Sequence, residues 1–255
     1  MAEIINIAEF FLLSIALGVG FFSFIASPSL TGSGFTRLIT VVCFSALSGA
    51  TLLHISYASA ANPQVYLSLL ALGAFALTYF FKAEKSGLVT WTLFIIQNAA
   101  IIWRLAGFNN FNGQHFLFSF SSVLMTGIIT YAMLLGHWYL VVPKLSEAPL
   151  KRAVKFIWLI LIAKIIWSGL TLFGEQQFLA EGTRLGSGYA FNWLMVLMRI
   201  GWGYVIIGVM SIFVWKLVKM RSIQSATGIF YAMTFFVFTS ETISFFLFFR
   251  YGVFV

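Results

Sequence analysis

The sequence predicts an all-α integral membrane protein with eight transmembrane helices, and three observations carry that prediction. Of 255 residues, 61% are hydrophobic and only 9% charged, whereas a soluble domain carries about 25% charged residues. The apolar residues gather into runs long enough to cross a hydrocarbon core, which takes about 20 residues of helix. The Lys and Arg residues between those runs fall on alternate loops. A membrane helix satisfies its own backbone hydrogen bonds, so this apolar surface needs no soluble core to bury it.

In order, the runs lie at roughly 8–27, 36–58, 64–81, 87–106, 116–142, 151–174, 191–215 and 224–249. Clusters of Gly, Pro, Ser and Asn punctuate them: SPSLTGSG, ANPQ, GFNNFNGQ, PKLSEAP and GTRLGSG. Such clusters break helices. The opening MAEIINIAEF carries Glu3 and Glu9 but no Lys or Arg. A signal peptide needs a basic start, so the first run reads as a retained helix with its N-terminus outside. The longest segment between runs is 175–190, so no soluble domain is expected.

Orientation follows from the cations. Arg37, Lys82, Lys85, Lys144, Lys151, Arg152, Lys155, Lys216, Lys219 and Arg221 all fall on one side, against Arg104, Arg184 and Arg250 on the other. Positive charge is retained on the cytoplasmic face. Both termini are therefore expected outside, in the periplasm, with the chain in a bacterial inner (cytoplasmic) membrane. The net charge of +8 belongs to an anionic leaflet, which favours each surface cation by about 1 kcal/mol, and not to nucleic acid.

The two halves share short motifs. Pro28-x-Leu30 with Arg37 matches Pro143-x-Leu145 with Arg152, and Ser48-Gly49-Ala50-Thr51-Leu52 matches Ser168-Gly169-Leu170-Thr171-Leu172. Lys82-x-x-Lys85 matches Lys216-x-x-Lys219, and Arg104 parallels Arg250. These predict two tandem four-helix units, 1–110 and 111–255, in parallel orientation about a pseudo-two-fold along the membrane normal.

Charges that orientation does not explain are the site candidates, because an ionisable group at mid-bilayer costs about 2.5–3.5 kcal/mol. Lys164 and Arg199 lie inside spans, and Glu241 is read as the only acid inside one. Depth-matching pairs Arg199 with Glu241 on consecutive antiparallel helices and leaves Lys164 without a partner. Glu241 is the natural proton carrier. Gln97 and Asn98 are expected to add amides in the same outer half, as interhelical glue or as site groups.

His54 and His115 are placed at similar outer depth; they are the only pair that could ligate a b-type haem, which the wet loop before His115 disfavours. His137, in GHWYL, reads as an interfacial residue. Along the fifth span, His115, Ser119, Ser122, Thr126, Thr130, Met133 and His137 recur at helical steps and form one polar stripe. That stripe is read as close packing or as a conduit. Gly201, Gly203 and Gly208 read as close-packing positions in the seventh span.

Several classes fall away. The single cysteine, Cys43, has no disulfide or cluster partner, and the absence of Asp removes Asp-rich metal and diphosphate sites. No Ser–His–Asp set, P-loop or dinucleotide turn is present, so no autonomous catalytic motif is legible. Eight spans built as two four-helix units resemble the membrane anchors of periplasm-facing molybdenum and sulfur oxidoreductases, which bind quinol; the likeness is one of architecture. It implies a membrane subunit of a redox complex, with quinone as cofactor, other membrane or periplasmic subunits as partners, and an outer polar site drawn from His54, Arg104, His115, Arg199 and Glu241. Two other classes compete: a small anion or proton-coupled transporter using Lys164, Arg199 and Glu241, and a non-catalytic scaffold.

Overall fold

A computed structural model describes residues 2–26, 28–58, 62–80, 87–142 and 145–255. Lys82, Lys85, Pro143 and Lys144, which contributed to the charge pattern and the repeat, lie outside the described residues. Eight helices are long and apolar enough to cross a membrane. They are α1 (Ala2–Phe21, continued by a 3-10 turn to Ile25), α2 (Ser33–Tyr57), α3 (Pro63–Phe80) and α4 (Gly87–Phe108). The second set is α5 (Gly113–Val141), α6 (Ala148–Gly174), α7 (Tyr189–Lys219) and α8 (Ile223–Tyr251). All eight coincide with the hydropathy runs to within a few residues.

The ends are set by local chemistry. Asn112 caps α5 by accepting from the backbone N–H groups of Gln114 and His115, and the Asn62 carboxamide accepts from Gln64 N–H at the start of α3. Pro149 sits in the first turn of α6, where its missing N–H costs nothing. Gly252, at φ 73°, ends α8 in the left-handed conformation that a residue without Cβ adopts freely. One span departs from expectation: α7 is not a continuous α-helix, because Gly201–Ile206 is π-helical. This bulge directly follows Arg199.

The helices pack as two rings. α1 packs on α2, α2 on α3, α3 on α4, and α4 returns to α1. In the same way α5 packs on α6, α6 on α7, α7 on α8, and α8 returns to α5. The main seam between the rings is α1 against α5. Gly18 and Gly127 allow it: a Cβ on Gly18 would stand 2.6 Å from the Gly127 Cα. Small residues let helix backbones approach where lipid supplies no hydrophobic drive. Gly203 does the same beside Ser240, but Gly201 has no neighbour in reach and Gly208 meets only ordinary contact with Leu161. Two of the three predicted close-packing glycines are therefore not at tight crossings.

Candidate functional site

Each ring encloses one buried polar cluster, and every helix of the ring contributes to it. In the first, Glu9 of α1 is fully buried. Arg104 of α4 donates to its Oε1 at 2.8 Å, to Ser68 Oγ of α3 at 2.6 Å and Thr51 Oγ1 of α2 at 3.2 Å, and to the Ala50 carbonyl at 3.1 Å. His54 Nδ1 lies 3.1 Å from the same carboxylate, and the Tyr57 hydroxyl donates to its other oxygen. Two buried atoms, His54 Nε2 and Arg104 Nε, have no hydrogen-bond partner among the described residues.

Two expectations are corrected here. Glu241 is not the only acid inside a span, since Glu9 is buried in α1; and Arg104 is not a boundary cation, being 1% exposed. Both lie within about two turns of a helix end, where a hydropathy window cannot tell a boundary residue from a buried one. The parallel between Arg104 and Arg250 also lapses, because Arg250 is exposed.

The second cluster centres on Glu241 of α8. Its Oε1 accepts from Arg199 of α7 at 3.1 Å and its Oε2 from Lys164 of α6 at 3.1 Å. The expected Arg199–Glu241 bond is present, but Lys164 is not unpartnered, because one carboxylate bridges both cations. Lys164 also donates to Ser122 of α5 at 2.7 Å and stands 5.7 Å from the Phe118 ring centroid. Arg199 donates to Ser240 at 2.6 Å and to the Val255 carbonyl at 3.2 Å, and its guanidinium lies 4.7 Å over the Tyr204 ring. Tyr204 belongs to the π segment and bonds Ser168 of α6, so the bulge turns an aromatic ring under the guanidinium. The buried Arg199 Nη2 has no hydrogen-bond partner among the described residues.

The clusters differ in depth. Lys164, Arg199 and Glu241 each lie ten residues from the helix end at the N-terminal face, about 15 Å at 1.5 Å per residue. Glu9, His54, Ser68 and Arg104 lie three to seven residues from theirs, about 5–10 Å. Between the clusters Phe10 stacks on Phe245, which packs on Phe118 beneath Lys164, a wall of rings from α1 to α5.

The remaining candidates scatter. His115 packs against Phe248 and Phe254 while His54 is held by Glu9, so the structure places them in separate environments. The wet-loop reading of the segment before His115 is corrected for Asn109, which is buried and accepts from Ser119. The fifth-span stripe is buried at Ser119, Ser122, Thr126 and Thr130; Thr130 bonds the Thr126 carbonyl and Ser122 serves Lys164. His137 is exposed and bonded to Tyr231. Asn98 is not interhelical glue, since it donates to Phe94 of its own helix at 2.8 Å. Gln97 does not join the outer groups either; it borders a cavity with Ser23, Thr36 and Thr78 at the opposite end of the first ring.

His, Cys, Asp and Glu form no group of three that could hold a metal among the described residues. Compared with protein families, curated proteins and solved structures, the chain shows no match. What fold and site define is an all-helical protein with eight helices of membrane-spanning length and apolarity, carrying two separately buried ion clusters.

Proposed function

We propose that this chain is the membrane-embedded subunit of a redox complex, built of two parallel four-helix units with both termini in the periplasm, and that it takes a quinol at the outer half of a bacterial inner membrane. One observation carries the reading: the Glu9–His54 dyad. The carboxylate at Nδ1 fixes the ring proton there and leaves Nε2 as an acceptor, buried and without a hydrogen-bond partner among the described residues. Tyr57, 48% exposed, borders this dyad on the outer side of α2. A quinol reaching His54 gives one hydroxyl proton to Nε2 and the other to water at the membrane face. Its two electrons pass to a redox partner subunit, and the quinone departs. Arg104 anchors the Glu9 carboxyl group beside the imidazole, and that group stabilises the imidazolium formed in this step.

The test is purification from native membranes in mild detergent. A redox-active partner and an extractable quinone are expected, and His54→Gln should abolish quinol oxidation in a complex that still assembles. A colourless, quinone-free protein recovered alone overturns the proposal.

A second reading rests on the Glu241 cluster, whose two cationic side chains face one carboxylate and whose Arg199 Nη2 is unpaired. That excess suits an anion or a coupled proton crossing the second unit. Liposome flux that Glu241→Gln abolishes would support it; undiminished flux would end it.

A further inference from the structure

We propose that the first unit holds a second ligand site, at the end remote from Glu9: a cavity for a neutral six-membered ring bearing hydroxyl donors, of the lipid-soluble hydroquinone class. The cavity measures about 170 Å³ and lies among α1, α2, α3 and α4. An apolar cavity of about 150 Å³ admits benzene, so the volume suits one substituted ring. Phe35, Phe75, Trp91 and Phe94 wall it, and aromatic pairs add about 0.5–1.5 kcal/mol beyond burial.

Among the described residues, no Lys, Arg, Asp or Glu lines the cavity. Arg37, next to the lining residue Thr36 in α2, lies over the Tyr79 ring at 5.6 Å and is not itself a lining residue. A charged ligand would therefore enter uncompensated, and a neutral one is selected.

The polar atoms specify which neutral ligand. Thr40 and Thr78 spend their hydroxyl protons on the carbonyls of Thr36 and Ala74, at 2.8 Å each, which leaves their oxygens as acceptors. Gln97, 5% exposed, lines the cavity with an Oε1 that has no hydrogen-bond partner among the described residues. All three want a donor. A hydroquinone supplies O–H groups, whereas the oxidised quinone offers only acceptors, so the site favours the reduced form.

A lipid-facing groove on α2 and α3 shares Thr40 and Phe75 with the cavity and continues over Val41, Phe44 and Phe80. It gives an alkyl tail a path to the bilayer.

The test uses the full chain carrying His54→Gln, which removes the outer quinol site, in detergent; this protein and further variants made in it are titrated calorimetrically with 2-butylhydroquinone, its quinone and its dimethyl ether. Hydroquinone should bind about tenfold more tightly than either of the others, the upper range for one hydrogen bond. In Gln97→Leu that preference should fall below about threefold. Thr90→Phe, which fills the cavity, should abolish binding, while Thr242→Phe on an exposed face of α8 should leave it unchanged. Gel-filtration profiles matching the wild type exclude misfolding in each variant.

The site does not depend on the outer one, so hydroquinone binding at the cavity should persist in His54→Gln. Equal affinity for the three ligands, as a lipid-chain pocket would show, overturns the proposal. So does binding that survives Thr90→Phe or is lost in His54→Gln.

Discussion

The two buried clusters use the same ingredients to opposite ends. Around Glu9 one carboxylate faces one fixed cation and an imidazole, near the helix ends, and accepts from the Tyr57 hydroxyl. Around Glu241 one carboxylate faces two fixed cations roughly 15 Å down the helices, walled by Phe118 and Tyr204. In the shallow cluster the carboxylate meets one fixed cation and an imidazole whose Nε2 has no hydrogen-bond partner among the described residues. In the deep one a single carboxylate holds two cations in place and ties α6, α7 and α8 together. On the proposed function, burial depth and the choice of His against Lys separate a site for proton exchange from one for holding the fold.

The sharpest way to break this comparison is Glu241→Gln. It leaves Lys164 and Arg199 buried against each other, and removing one partner of a buried pair costs about 3–5 kcal/mol. Thermal unfolding in detergent should show the largest drop of the set, and a loss no greater than for the shallow cluster would refute the contrast. Arg104→Met should cost less, about 1–3 kcal/mol, because His54 and Tyr57 still serve Glu9. Adding His54→Phe should then deepen the loss beyond the sum of the singles, as shared partners are non-additive.

Lys164→Met sharpens the comparison from the other side. It leaves Arg199 and Glu241 matched one to one, so no uncompensated buried charge remains to incur that cost. Stability within about 1 kcal/mol of wild type is expected. Collapse of the variant would mean that Lys164, and not the carboxylate, organises the deep cluster.

The smallest effect belongs to a partly exposed site between helices. Glu147, in the connector before α6, bonds Lys151 at 2.9 Å and Arg221 at 3.5 Å, and the Lys151 ammonium holds its carboxyl below the usual carboxylate range. A depressed carboxylate stabilises the fold above its unfolded value and loses that contribution as pH falls through the folded one. Exposed pairs contribute little, so Glu147→Gln should barely move the melting temperature at neutral pH and should flatten its decline in acid. A steep neutral-pH loss would place Glu147 with the buried clusters.

Sequence alone determined that the chain forms eight apolar helices, where they begin and end, and that Arg199 and Glu241 share a depth. Each of these depends on position along a helix, which hydropathy and charge report directly. Tertiary structure decided everything that depends on rotation about the helix axis. Glu9 and Arg104 looked like boundary residues because a single charge near a helix end has the same hydropathy whether it faces water or a neighbouring helix. Lys164 looked unpartnered because one carboxylate can serve two cations only when three helices converge. Gln97 proved to face a cavity at the opposite end from the groups it was placed with. Linear spacing records depth; only the packed helices record which groups meet.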